Sequence, residues 1–228
     1  MDPTPSLNRA ATFGSRPKPR LAIVSDQPLT RFGTRLALES EGAFQVSIEL
    51  DCSPTSLATL GERKPDLIVV DIAQPIRKAL AWLRRLRAAN ESVRILAVAA
   101  QPEWLMGVRA LRAGANSFIN KAEDVAELRL AAQLTAQGHG YVGQSALGQL
   151  MTNPDTGQAS SPFAQLSDCE LDVFYYLLDG VPIGQIKERL NITDKAVRNY
   201  KSRVTRKLQL NNELSYSEFA VEQGLTAA

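Results

Sequence analysis

The sequence predicts an α/β protein with a helical appendage: a five-stranded parallel, doubly wound sheet, then a small all-α domain of four helices. Three observations carry this. Short apolar runs alternate with helical patterns through residues 21–134. Strand signals stop after residue 165. A helix-capping signature then opens a purely helical stretch at Ser167.

The five apolar runs are "LAIV" (21–24), "FQVSIEL" (44–50), "LIVV" (67–70), "ILAVA" (95–99) and "SFIN" (117–120). Between them, apolar residues recur at spacings of three and four, the period of an amphipathic helix. Regular strand–helix alternation favours a parallel sheet covered by helices on both faces. "FQVSIEL" differs from the others because its apolar residues alternate, which suits an edge strand; the continuous runs suit the sheet interior. Right-handed crossovers place all five strand C-termini on one edge, where such sheets bind ligands.

Composition narrows the functions available. The 228 residues suffice for one large domain or two modest ones, with 44 % hydrophobic and 22 % charged residues. Net charge is only +2, so a nucleic-acid signal has to be local. No apolar stretch approaches the roughly 20 residues that span a bilayer, and residues 1–19 lack the apolar run of a secretion signal. A cytoplasmic protein without membrane contact is expected, with residues 1–19 a flexible extension. Cys52 and Cys169 are single and distant, which suits reduced thiols. His139 is the only histidine, in a predicted turn, and leaves little for Ser-His, Cys-His or poly-His metal chemistry. The predicted division is a first domain over 20–141, a Gly-, Ser-, Gln- and Pro-containing linker over 142–164 with a short helix at 146–151, and a second domain over 165–228.

In the second domain Ser167 and Glu170 form a capping box. Leu171, Phe174, Leu177 and Leu178 make one apolar stripe, and Gly180 ends the helix. Pro182 opens a short helix, "NIT" makes a tight turn, and Thr193 caps a long helix, "DKAVRNYKSRVTRKLQL". A last helix is expected over 214–225. On the long helix Val197, Tyr200, Val204 and Leu208 form the buried face, and Lys195, Asn199, Ser202 and Arg206 the opposite one. Arg198, Lys201 and Lys207 flank it. Residues 182–210 hold eight basic side chains against two acids, Glu188 and Asp194. A solvated charged face is the ordinary reading of such a run. The short helix, three-residue turn and Thr cap instead make a helix-turn-helix, whose second helix docks in the DNA major groove. Its cations would meet phosphates, while Asn199 and Ser202 reach base edges. The partner is then double-stranded DNA, bound by a homodimer with residues 214–225 as a candidate dimer contact.

The stretch from "LSDCELDVFYYLLDG" to "RKL" resembles the LuxR-type helix-turn-helix over its full length, through its Leu-Ser start, Glu170, Gly180, Ile186, Leu190, Ile192 and Val197. Lys187 and Tyr200 depart from that pattern. Beside such a domain, the α/β segment resembles the receiver of NarL/FixJ-group response regulators, which has a flavodoxin-like fold. "DLIVVDIAQP" matches the strand that carries the phospho-accepting aspartate, which assigns that role to Asp71. "GANSFINKAED" matches the fifth strand, with Lys121 the usual lysine and Phe118 the aromatic switch position.

The resemblance also implies Mg²⁺, a hard ion that takes oxygen ligands, held by Asp26, Asp71 and the backbone carbonyl of Ala73. Two departures weaken it. Receivers usually end the first strand with two acids, where this chain has Ser25 and Asp26. They also carry a hydroxyl where this chain has Ala99, and a hydrogen bond to a charged group contributes about 1.5–3 kcal/mol. Two modes of control follow: phosphorylation of Asp71 by a histidine kinase, or an atypical receiver set by phosphate-independent dimerisation, a small ligand or a regulatory protein. The two departures favour the second, with weak Mg²⁺ binding. Asp26, Asp71 and Lys121 would alternatively survive as a structural ion-pair cluster. A flavodoxin-like enzyme is the remote alternative, since the chain has no GxGxxG or Walker motif.

Overall fold

The computed structural model describes residues 18–101, 103–143, 162–210, 214–223 and 225. Five strands, β1 (Arg20–Val24), β2 (Gln45–Leu50), β3 (Leu67–Ile72), β4 (Arg94–Ala99) and β5 (Ser117–Asn120), form one sheet in the order β2-β1-β3-β4-β5. All four pairings are parallel. Helices α1 (Pro28–Glu39), α2 (Pro54–Arg63), α3 (Ile76–Ala89), α4 (Glu103–Arg112) and α5 (Val125–Ala136) alternate with the strands. As the alternation predicts, β2 lies at one edge and is the least buried strand, whereas every residue of β3 is buried.

Side chains alternate between the two faces of a strand, and the core divides accordingly. Ala22, Val24, Ile68, Val70, Ile95 and Ala97 pack with Leu80, Leu83 and Met106 of α3 and α4. Leu21, Ile23, Val69, Leu96 and Val98 pack with Leu38 of α1 and Ala131 and Ala132 of α5. The other sheet edge is covered in part. Gly138, at φ +91°, turns the chain, and Tyr141 O accepts the Phe118 amide at 2.9 Å while Val142 bridges Phe118. That pairing shields an edge that would otherwise template association.

The helical domain follows its capping signals. Ser167 and Glu170 close a reciprocal box at the start of α6 (Asp168–Leu178), and Gly180, at φ +68°, follows that helix. Next come α7 (Ile183–Leu190), α8 (Asp194–Lys207) and α9 (Leu214–Glu222). A 3₁₀ turn over Pro162–Gln165 precedes α6. The helix expected at 146–151 and the extension over residues 1–17 lie outside the described residues.

The two segments touch through α3 and α6. Pro75 occupies the N-cap of α3 and offers no side-chain acceptor. Asp172 of α6 fills that role, accepting from Ile76 N at 2.6 Å and Arg77 N at 3.2 Å. One turn earlier Asp168 binds Arg109 of α4 at 2.7 Å and Arg84 of α3 at 2.9 Å. Arg77 also donates to the Leu190 carbonyl at the end of α7.

Candidate functional site: an acidic pocket and a nucleic-acid interface

The parallel sheet delivers Ser25, Asp71 and Ala99 to one edge because β1, β3 and β4 end side by side. Ile72 is paired with Ala99, and Asp71 with Val98. Asp71 is 5 % exposed and Ser25 fully buried. The Ser25 hydroxyl donates to Asp71 Oδ2 at 2.6 Å and accepts the Gln27 amide at 3.0 Å. Lys121 Nζ stands 2.7 Å from Asp71 Oδ1, an ion pair lying off the hydrogen-bonding direction of that oxygen. The Lys121 amide donates to Ala99 O at 2.8 Å, which fixes the lysine beside the strand end.

Asp26 is also occupied. Its Oδ1 accepts from Cys52 N at 2.9 Å and its Oδ2 from Lys78 Nζ at 2.7 Å. The carboxylate raises the Lys78 ammonium above its ordinary pKa. Burial, reinforced by Asp26, pushes the Cys52 thiol up to about 12, so the thiol stays protonated and acts as filler rather than as a ligand. Phe118 is fully buried. Its ring lies against Gly107 of α4, where a Cβ would meet Phe118 Cδ1 at 3.3 Å.

The structure therefore brings Ser25, Asp26, Asp71, Ala99 and Lys121 together and adds Lys78, which sequence reasoning misses although a signal is present. Arg77 and Lys78 stand in the first turn of α3, where a cation opposes the helix dipole, and such a cation calls for an acidic partner. Ala73 follows β3 and is half-buried. For Mg²⁺ the fit is poor: both oxygens of Asp26 and Oδ2 of Asp71 already accept hydrogen bonds from protein donors, and the Lys121 ammonium stands 2.7 Å from Asp71 Oδ1. Two carboxylates and two ammoniums thus meet at the strand ends, with Asp71 buried and Asp26 and Lys78 at the solvent-exposed rim.

The second site is α8. Asn191 takes a left-handed conformation at φ +49°, which lets Ile192 N return to Lys187 O, and Thr193 caps α8 through the Ala196 amide at 3.2 Å. Left-handed backbone suits Asn better than most residues, and it sets the tight turn between α7 and α8. Val197 and Val204 are buried. Lys195, Arg198, Asn199, Ser202 and Arg206 are exposed on one side, and Arg198, Lys201, Ser202, Thr205 and Arg206 line a shallow open groove. Lys207 departs from the expectation. Its ammonium binds Glu170 Oε2 at 2.6 Å and the Gln165 carbonyl at 2.9 Å, so it ties α8 to α6 instead of pointing outward. Lys187 likewise pairs with Asp194 at 3.6 Å, and Arg189 lies over the Tyr176 ring.

Fold and sites together define a transcription regulator of two-component type. Residues 21–133 match the response regulator receiver domain, and residues 164–219 match the LuxR family of bacterial regulatory proteins. A transcriptional regulator of Pseudomonas aeruginosa is 30 % identical over 201 residues, 88 % of this chain and 96 % of that protein. The virulence-factor transcription regulator BvgA of Bordetella pertussis is 29 % identical over 206 residues, covering 90 % and 98 %. The chain belongs to the response regulators that join a receiver to a LuxR-type DNA-binding domain. Its fold matches that of RcsB from Salmonella enterica serovar Typhimurium, bound to the promoter rprA with phosphomimetic BeF₃⁻, at a TM-score of 0.61. The two are 17 % identical, over 92 % of this chain and 100 % of that one.

Proposed function

We propose that this chain regulates transcription in the cytoplasm by binding double-stranded DNA as a homodimer through α8, with a receiver controlled independently of phosphorylation of Asp71. It acts by binding, not by turnover. Residues 20–141 serve as the receiver and 165–228 as the DNA-binding unit, joined by 142–164. Lys195, Arg198, Lys201 and Arg206 meet phosphates, and Asn199 and Ser202 read bases. Phosphate-independent dimerisation, a small ligand or a partner protein sets the receiver in place of a histidine kinase. RcsB, which shares the fold, is a promoter-bound protein, in line with this role.

One observation carries the mode of control: Asp71 is held between the Ser25 hydroxyl at 2.6 Å and the Lys121 ammonium at 2.7 Å. A carboxylate so engaged is a poorer nucleophile, because the hydroxyl at Oδ2 and the ammonium beside Oδ1 both draw charge from it. The alanine at position 99 adds no hydroxyl to stabilise the product.

The test is incubation with a small-molecule phosphodonor and Mg²⁺, read by intact mass, beside an Asp71→Asn control. No mass gain, from protein that still binds DNA, is expected. One added phosphoryl group, absent from the control, would overturn phosphate independence and restore kinase control.

A further inference from the structure

We infer that the Lys78 ammonium takes the place of a divalent metal ion in the receiver pocket, so that the pocket is charge-balanced by protein groups alone. The inference deepens the phosphate-independent reading above and adds to it the identity of the cation. Two carboxylates, Asp26 and Asp71, face two ammoniums, Lys78 at 2.7 Å and Lys121 at 2.7 Å. A metal ion entering next to Asp26 meets a position already holding positive charge. It would also have to strip away the 2.7 Å hydrogen bond at Oδ2, while Oδ1 remains committed to the Cys52 amide.

The pair is half-exposed, 52 % at Lys78 and 36 % at Asp26, and three features of its surroundings fix it at the pocket rim. Lys78 lies in the first turn of α3, where the helix dipole disfavours a cation, yet Asp26 raises its pKa and holds it charged. Its partner is 52 residues away in the chain, at the end of β1, so the pair crosses the mouth of the pocket. Ser25 stands where a second acid would strengthen a metal site, and its hydroxyl donates to Asp71 instead of offering a charge. Mg²⁺ takes hard oxygens in a near-octahedral array, one or two of them carboxylate and the rest largely water. Here three of the four carboxylate oxygens accept protein hydrogen bonds, and the fourth, Asp71 Oδ1, faces the Lys121 ammonium.

Mn²⁺ serves as the probe, its free concentration read by electron paramagnetic resonance on the full chain, with Mg²⁺ competition. The wild type is expected to show no saturable millimolar binding. Lys78→Met, which keeps the length and removes the charge, should bind at least about tenfold more tightly, a change on the order of 1.4 kcal/mol. Lys78→Arg retains the cation and should gain nothing, and Ser25→Asp combined with Lys78→Met should bind tightest.

Saturable binding by the wild type at the Lys78→Met affinity would overturn the inference. So would gain only in the double variant, or in none. Phosphodonor labelling with EDTA separates this reading from the one it deepens. Wild type labelled at Asp71 equally with and without metal would end phosphate independence and leave the lysine as the cation. Labelling that needs added metal, with Lys78→Met behaving as wild type, would end both.

Discussion

The Asp172 carboxylate caps the N-terminus of α3 across the domain boundary, accepting from Ile76 N at 2.6 Å. The two residues are 96 apart in sequence, and α3 begins only five residues after Asp71. The first four amides of a helix have no partner inside it, and Pro75 cannot supply one. A side chain of the DNA-binding unit therefore completes the helix that follows the acidic strand end. Residues 73–75 alone separate the end of β3 from the two amides that Asp172 accepts. The α8 face stays exposed throughout, so the contact orients the DNA-binding unit without covering its basic surface.

Asp172→Ala should loosen this contact. It strands the Ile76 and Arg77 amides and removes the carboxylate beside the Arg77 guanidinium, each stranded group costing about 1–3 kcal/mol. Differential scanning calorimetry should change from one transition to two, and proteolysis between residues 143 and 162 should accelerate. A single unshifted transition would show that the contact contributes nothing in solution.

The same carboxyl makes docking pH-dependent. Burial raises its pKa from 3.8 to about 7, against the opposing pull of the Arg77 and Ile76 amides and the Arg77 charge. With the docked value above the released one, the docked state takes up a proton. Docking is thus strongest below the ordinary value, weakens as pH rises through about 7, and is flat above. Each pH unit inside that window corresponds to about 1.4 kcal/mol. Glu170 has the opposite sign: burial pushes it up, but Lys207 and the Ser167 donors outweigh that and hold it below 4.5. Its stabilisation is lost only as pH falls through its own lowered value, so the two separate above about pH 5. Thermal melts of the wild type should fall between about pH 5 and about pH 7, and those of Asp172→Asn should not. Parallel slopes would remove Asp172 as the titrating group.

Much of this architecture is legible in the sequence because it is local. Strand–helix alternation implies the sheet, and the period-two pattern of "FQVSIEL" places β2 at an edge. Ser167, Glu170, Gly180 and Thr193 are caps whose partners lie within a few residues. What escapes is what joins distant segments. Tyr141 ends the predicted first domain and Val142 opens the predicted linker, because nothing nearby marks them as cover for β5. Asp172 sits inside an apolar stripe with no local acceptor role, though the missing cap before Ile76 hints that one must come from elsewhere. Helical position alone puts Lys207 on the outer flank of α8, and it cannot register that Glu170, 37 residues earlier, needs a cation.

Gly114 should not tolerate a side chain. It has φ +110°, and a Cβ would lie 2.7 Å from the Cβ and Cγ of Arg87. Arg87 cannot yield easily, since its guanidinium binds the carbonyls of Gly114, Glu91 and Val93 and the Asn116 amide oxygen. Gly114→Ala combines that clash with a disfavoured backbone, for a loss on the order of 1–3 kcal/mol. A urea midpoint shifted by less than its error would show that the Arg87 network relaxes freely.

Basic residues on α8 divide by what they touch, and the division predicts different assays. Arg206→Ala and Lys195→Ala remove exposed cations, so affinity should fall by a similar factor for every DNA sequence. The slope of log K against log salt should flatten by about 0.9 for each phosphate that is no longer neutralised. Asn199→Ala should leave that slope intact and change sequence preference, with about 1–3 kcal/mol less discrimination at one position. Lys207→Ala should do neither directly. It breaks the 2.6 Å pair that ties α8 to Glu170 of α6, leaving a carboxylate that is 2 % exposed without its cation. The melting temperature of the DNA-binding unit should fall, and the salt slope at low temperature should match wild type. If Lys207→Ala instead flattened the slope with no change in melting, its ammonium would belong to the DNA surface after all.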